Sequence, residues 1–227
     1  MPGFILHLTA GEMLLDEAKD NKVISTKEDR DMFLTGCIIP DATDRKRFSH
    51  FRNKQQSGKI MQVPDLNLFR DKYGDRIDEP FYLGYFFHLY IDLRFFMEYL
   101  PDVVTFYDEE GNVAEYIKTG KNVRLNKSGK IISVDDYRSD KYYYGDYTRM
   151  NTYLINRYNI PMDIFDNIIP CEMEEINPAC FKGFVEKMKS YFIVAEDEVN
   201  NLEVFDIDKI LKCIEKWTKE FAHEYLD

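Results

Sequence analysis

His88 and Asp92 stand four residues apart in the apolar run of residues 80–100, and on a helix that spacing puts an imidazole and a carboxylate on one face, pointing the same way. Imidazole nitrogen and carboxylate oxygen suit zinc and similar divalent ions, and the neighbours Phe86, Phe87, Phe95 and Phe96 would exclude water and strengthen the charges. A tetrahedral site needs ligands from separate segments, and the chain offers Asp41 directly after Pro40, His50 in the polar stretch that follows, and His7 near the start. Two readings of the pair stand at this point. One is a metal centre; the other is a buried hydrogen-bonded pair without metal, or an Asp92 paired with Arg94 or another cation.

The elements that would position these residues are mainly helical. Apolar spacing predicts a helix over 3–18, and Ser25-Thr26 followed by Glu28 starts a second that ends near Cys37, before Pro40. Residues 41–64 are polar enough to lie on the surface as a loop, one long enough to carry function. A long helix over 79–99 holds His88 and Asp92 until Pro101 interrupts it. Short β-like runs follow at 103–106, 113–117, 123–125 and 130–134, separated by Gly-containing turns, which predicts a small β insertion at 103–134. Helical spacing returns over 147–158, 181–192 and 206–225 after a turn at 161–167, and the last helix carries Ile207, Ile210, Leu211, Ile214, Trp217 and Phe221 on one stripe. The expected fold is a mainly α, multi-helix bundle in one domain, 1–227, with that insertion.

Taken in order, Met1-Pro2-Gly3-Phe4-x-x-His7, Gly36-x-x-x-Pro40-Asp41, Ser49-His50-Phe51 and Leu83-Gly84-Tyr85-x-x-His88-x-x-x-Asp92 resemble the zinc-dependent phospholipase C family, which includes related single-strand nucleases. The resemblance covers roughly residues 1–100. It implies an all-α fold with up to three zinc ions that hydrolyse phosphodiesters. Asp41, His50, His88 and Asp92 would hold one Zn2+, and Asp92 would bridge to a second held also by His7 and the chain's terminal amine, which removal of Met1 before Pro2 would expose. Asp41 would be the general base. The family adds a His six residues after the bridging Asp and a later His-x-x-x-Glu or His-x-x-x-Asp pair; here Glu98 stands at the first position, and no His lies between 88 and 223. Asp146, Tyr147 and Asn151 fall near the later pair without reproducing it. The third ion is then absent, or is a harder ion on oxygen ligands such as Glu98 and Asp146.

Composition narrows the partners. The 227 residues carry 30 Lys and Arg against 41 Asp and Glu, a formal charge of −11, which opposes dedicated nucleic-acid or anionic-membrane binding by general electrostatics. With 44% hydrophobic and 15% aromatic residues, disordered and fibrous classes are excluded. The apolar run at 80–100 has the length of a membrane span, but His88, Asp92, Arg94 and Glu98 fall within it. Without a basic leader and apolar core at the start, the expected location is cytoplasmic. Cys37, Cys171, Cys180 and Cys213 form no Cys-x-x-Cys pair and read as free thiols. Residues 223–227 begin like a zinc-protease helix but place Asp227 where the second His belongs. One locally basic stretch, Arg45-Lys46-Arg47 through Arg52, Lys54 and Lys59, lies beside His50: a solvated loop, or an anion-steering rim. Tyr142, Tyr143 and Tyr144 pack in the core or line a pocket. Two functions follow. One is a zinc-dependent phosphodiesterase acting on a small-molecule or lipid-headgroup phosphodiester; the other is a non-catalytic helical protein that binds metal or partners.

Overall fold

The computed structural model of the protein describes residues 3–18, 23–165, 173–177, 180, 183–184, 186 and 194–226. Two helices run through the middle because they are apolar on every side. Helix α1 (Phe4–Glu17) buries every residue from Ile5 to Ala10 and adds Gly11 and Leu14. Helix α5 (Pro80–Arg94) buries every residue from Phe81 to Asp92, with Pro80 in its first turn, where a missing N–H costs nothing. Such helices must be surrounded, and α1 packs against α2 (Lys27–Ile38), α5, α8 (Tyr143–Tyr158) and α9 (Ile207–Tyr225).

Helix α2 opens on the expected cap, although its partner is Asp29: Thr26 accepts from the Asp29 N–H while the Asp29 carboxylate accepts from the Thr26 N–H. Its crossing with α5 is unusually close. A Cβ on Gly36 would lie 2.2 Å from the Phe81 carbonyl oxygen, and one on Gly84 2.0 Å from that of Phe33, so only glycine fits either position. Backbone thus meets backbone, one residue before Cys37 and one turn before His88. Helix α9 opens on Asp206, whose carboxylate accepts from the Lys209 N–H at 2.9 Å, and it buries Ile210, Leu211, Ile214, Trp217 and Phe221 as the stripe predicts.

Three expectations are corrected. Pro101 does not stop the helix: the chain widens to a π-helix over Phe95–Tyr99 and closes with α6 (Leu100–Val103). Pro101 cannot donate to the Met97 carbonyl, and its ring crowds that turn. The sheet has three antiparallel strands in the order β1 (Val104–Tyr107), β2 (Asn122–Leu125), β3 (Ile131–Ser133), with Val104 opposite Leu125 and Val123 opposite Ile132. Residues 113–117 are not a strand of it. They meet Tyr107 at one bridge and otherwise bond to the 58–60 segment, where Glu115 accepts from the Ile60 N–H and Ile117 donates to the Gly58 carbonyl.

The 41–64 stretch lies at the surface only in part: Arg45, Arg47, Lys54, Gln55 and Ser57 are exposed, but its middle turns inward. It holds α3 (Lys46–Ser49), and Ser49 and His50 are fully buried. Phe51 explains this: its ring sits edge-on against Phe69, Tyr73 and Tyr85, and Tyr85 donates to the Ser49 carbonyl at 2.5 Å. Phe51 also takes the left-handed conformation at φ 49°, rare for a bulky residue, and so reverses the chain between His50 and Arg52. Helix α4 (Leu66–Tyr73) supplies two of those rings. The helix expected at 181–192, apart from residues 183, 184 and 186, which are helical, the turn beyond residue 165 and Cys171 lie outside the described residues. Among the described residues, no helix is long and apolar enough to cross a membrane.

Candidate metal centre

Five side chains from four segments converge where α1, α2 and α5 meet. His7 comes from α1, Asp41 from the 3-10 turn Ile39–Asp41 after α2, His50 from the end of α3, and His88 and Asp92 from α5. His50, His88 and Asp92 are fully buried, His7 is 1% exposed, and Asp41, at 6%, is the member closest to solvent. Ligand atoms of His7, His88 and Asp92 lie within 4.8 Å of one another, and so do those of Asp41, His50 and His88. These buried His and Asp groups can hold a metal ion.

Hydrogen bonds fix which ring nitrogens face inward. His88 Nδ1 lies 2.7 Å from the Cys37 carbonyl oxygen, so it carries the proton, and Nε2 keeps its lone pair. His50 Nδ1 lies 2.9 Å from the Lys46 carbonyl oxygen and 2.9 Å from Ser49 Oγ, with the same consequence. The two Nε2 atoms then face each other at 3.2 Å as two lone pairs. His50 Nε2 also stands 3.5 Å from Asp41 Oδ1 and 3.5 Å from Asp92 Oδ2, while His7 Nε2 stands 3.5 Å from Asp92 Oδ1. The His7 ring stacks on His88 at 3.7 Å between centroids. Both ring nitrogens of His7 and both oxygens of Asp92 are buried without a hydrogen-bond partner.

Facing lone pairs and unpartnered carboxylate oxygens in a dry interior are costly unless a cation sits among them. The donor set is imidazole and carboxylate, with His88 and His50 each held by a backbone carbonyl on the far nitrogen, and such a set can hold a divalent metal ion. The Asp92–Arg94 alternative is removed, because Arg94 bonds Glu98 at 2.8 Å and pairs with Glu220. The terminal amine falls outside the described residues.

Charge states agree with this donor set. Burial, reinforced by the His7 imidazole, pushes His88 well below the ordinary histidine value despite the two carboxylates, and keeps it neutral. Burial alone would raise Asp41, but the Lys46 ammonium at 2.8 Å and the adjacent imidazoles hold it well below the usual carboxylate range. Burial also works to raise Asp92, and the three surrounding imidazoles outweigh it, so it too is lowered. Acid therefore weakens the metal-free fold through both kinds of group. A histidine lowered by burial costs stability once the unfolded chain protonates, below about pH 6.5, and the lowered carboxylates cost more below about pH 4. The metal-free protein should lose melting temperature from about pH 6.5 downward in calorimetry; a flat profile between pH 7 and 5 would contradict a buried neutral His88.

The oxygen ligands considered for a third ion are used elsewhere. Glu98 accepts from Trp217 Nε1 at 2.8 Å and pairs with Arg94 and Lys216. Asp146 is fully buried and accepts from the backbone N–H groups of Glu203, Val204 and Phe205 at 3.0, 2.7 and 2.9 Å and from Arg149 at 2.8 Å. It ties the segment before α9 onto α8. Asn151 is buried one turn further along α8. Among the described residues, neither Glu98 nor Asp146 belongs to a cluster of metal-ligating groups. Asp146→Ala, which strands three buried N–H groups, should cost about 3–5 kcal/mol in denaturant unfolding while leaving metal content unchanged; loss of metal with the fold intact would restore Asp146 as a ligand.

Two residues of the basic stretch lie beside the centre. Lys46 reaches back to Asp41 at 2.8 Å, and burial pulls half-buried Arg52 below the ordinary arginine value while the Asp92 and Asp41 carboxylates oppose that. Of the tyrosine run, Tyr142 and Tyr143 are buried and Tyr144 is 54% exposed. Comparison with protein-family models, curated proteins and solved structures returns no match to this chain.

Proposed function

We propose that the chain is a zinc protein of the phospholipase C type that hydrolyses a phosphodiester, a small molecule or a lipid headgroup. Asp41, His50, His88 and Asp92 Oδ2 would hold one zinc, and His7 with Asp92 Oδ1 would supply ligands for a second. The observation that carries the metal is the pair of Nε2 lone pairs facing each other at 3.2 Å, with no proton between them once both Nδ1 atoms are committed to carbonyls. The order and types of the residues carry the phosphodiester.

Bound zinc supplies Lewis acidity, acidifying water and offsetting negative charge on phosphate oxygens. The chain's own residues do the rest. The Cys37 and Lys46 carbonyls orient His88 and His50 and keep their inner nitrogens unprotonated. The apolar helices α1 and α5 exclude water from the inner face. Asp41, ionised and the most exposed of the five, would take the proton from the attacking water.

The protein purified without chelator should hydrolyse bis(p-nitrophenyl) phosphate, lose that activity to chelator and regain it with zinc, while His88→Ala stays inactive throughout. One observation favours a second reading, a metal protein without turnover: Glu98 and Asp146 are committed to Trp217 and to backbone N–H groups, and among the described residues no other oxygen set for a third ion is found. Zinc-loaded protein that turns over no phosphodiester would select it.

A further inference from the structure

The short helix α3 ties two of the donors together. Ser49 Oγ donates to the Pro40 carbonyl at 2.8 Å, next to Asp41, and the Lys46 carbonyl lies 2.9 Å from His50 Nδ1. The Lys46 side chain adds a contact that this framework does not need. Its Nζ lies 2.8 Å from Asp41 Oδ1, the same oxygen that stands 3.5 Å from His50 Nε2. An oxygen that accepts an ammonium hydrogen bond gives its full charge to a metal only after that bond breaks. Asp92 differs, because both of its oxygens are buried without a hydrogen-bond partner.

A carboxylate as buried as Asp41 is costly without a counter-charge, and Lys46 supplies one in the metal-free chain. The Lys46 side chain is itself 44% exposed, so its ammonium can turn to water without crossing packed core. We propose that Lys46 is the resident cation of the centre: it holds Asp41 until metal arrives, and the metal takes that oxygen and releases the ammonium to the surface. This inference rests on the metal reading above and adds the residue that regulates it. Two consequences of opposite sign follow. Lys46 stabilises the metal-free fold, and by the same contact it weakens metal binding. Because the exchange frees a lysine, loading of a buried centre is registered at the protein surface.

The test uses the full chain, stripped of metal by chelator and dialysed, as wild type, Lys46→Met and Lys46→Arg. Zinc titrated by calorimetry should bind Lys46→Met about tenfold more tightly than wild type, the worth of one hydrogen bond to a charged group. Lys46→Arg keeps the counter-charge and should bind zinc no more tightly than wild type. Metal-free Lys46→Met should melt below metal-free wild type, and the zinc-loaded variant no lower than zinc-loaded wild type; damage to the fold would lower both and weaken zinc. One measurement needs no variant: a water-soluble amine-acylating reagent, read by peptide mass spectrometry, should label wild-type Lys46 severalfold faster with zinc than without. Lys72, paired with Glu174 and Glu175, should keep its rate and serves as the reference. Zinc bound no more tightly by Lys46→Met than by wild type, or Lys46 labelling that zinc leaves unchanged, overturns the exchange alone. A wild-type chain that binds no zinc overturns the metal reading and the exchange with it.

Discussion

Saturating zinc raises the unfolding temperature of the wild-type chain and leaves that of His88→Ala where it was. A ligand at one hundred times its dissociation constant adds about 2.7 kcal/mol to the unfolding free energy, which for a chain of this size is roughly 5–10 °C. His88 is the residue to remove because it belongs to both groups of converging donors and faces His50 Nε2 at 3.2 Å. The substitution also opens a cavity between α1 and α5, so the substituted protein melts lower even without metal. The zinc-induced difference within each protein cancels that cost. Asp92→Asn keeps the volume, removes the charge and should behave alike, since its two oxygens face His7 and His50 and have no other partner. Equal zinc shifts in wild type and both variants would place the metal elsewhere.

Gly84→Ala should be among the most damaging single methyls in the described part of the chain. Its Cβ would sit 2.0 Å from the Phe33 carbonyl oxygen and 3.1 Å from the Cys37 nitrogen, contacts that backbone cannot yield without α2 and α5 moving apart. Gly36→Ala meets Phe81 and Tyr85 backbone in the same way. Each should cost about 4 kcal/mol or more, in the class of severe overpacking, and any folded fraction should bind zinc poorly. The link runs through Cys37: its carbonyl is the one that accepts from His88 Nδ1, so a wider crossing releases the imidazole. Chemical denaturation with zinc titration on the same samples checks both halves; either alanine variant melting like wild type would show that the close crossing is dispensable.

How much of this was legible in the residues depends on where each partner lies. The His88–Asp92 pair and the α9 stripe sit within one helix, and periodicity alone places them. The two glycines of the close crossing were visible as motif letters, but their reason, backbone against backbone, appears only when α2 and α5 are brought together. His50 looked solvent-exposed because residues 41–64 are polar on average, whereas a single aromatic anchor, Phe51 among Phe69, Tyr73 and Tyr85, drags its neighbours inside. Residues 113–117 alternate like a strand, yet after one bridge to Tyr107 their backbone partners are Gly58 and Ile60, more than fifty residues earlier and outside any hairpin logic. Asp146 offered a plausible oxygen ligand, and its real partners are backbone N–H groups of residues 203–205, which have no side-chain signature to read. The Lys46–Asp41 pair crosses a turn and fits neither helical nor strand spacing.

The central claim is that these five buried side chains hold a divalent metal. Elemental mass spectrometry on untagged protein purified without chelator tests it most directly, beside His88→Ala and Asp92→Asn. The account predicts at least one tightly held zinc equivalent in the wild type and none in either variant. A wild-type protein that retains no metal, even after zinc loading and buffer exchange, would contradict it.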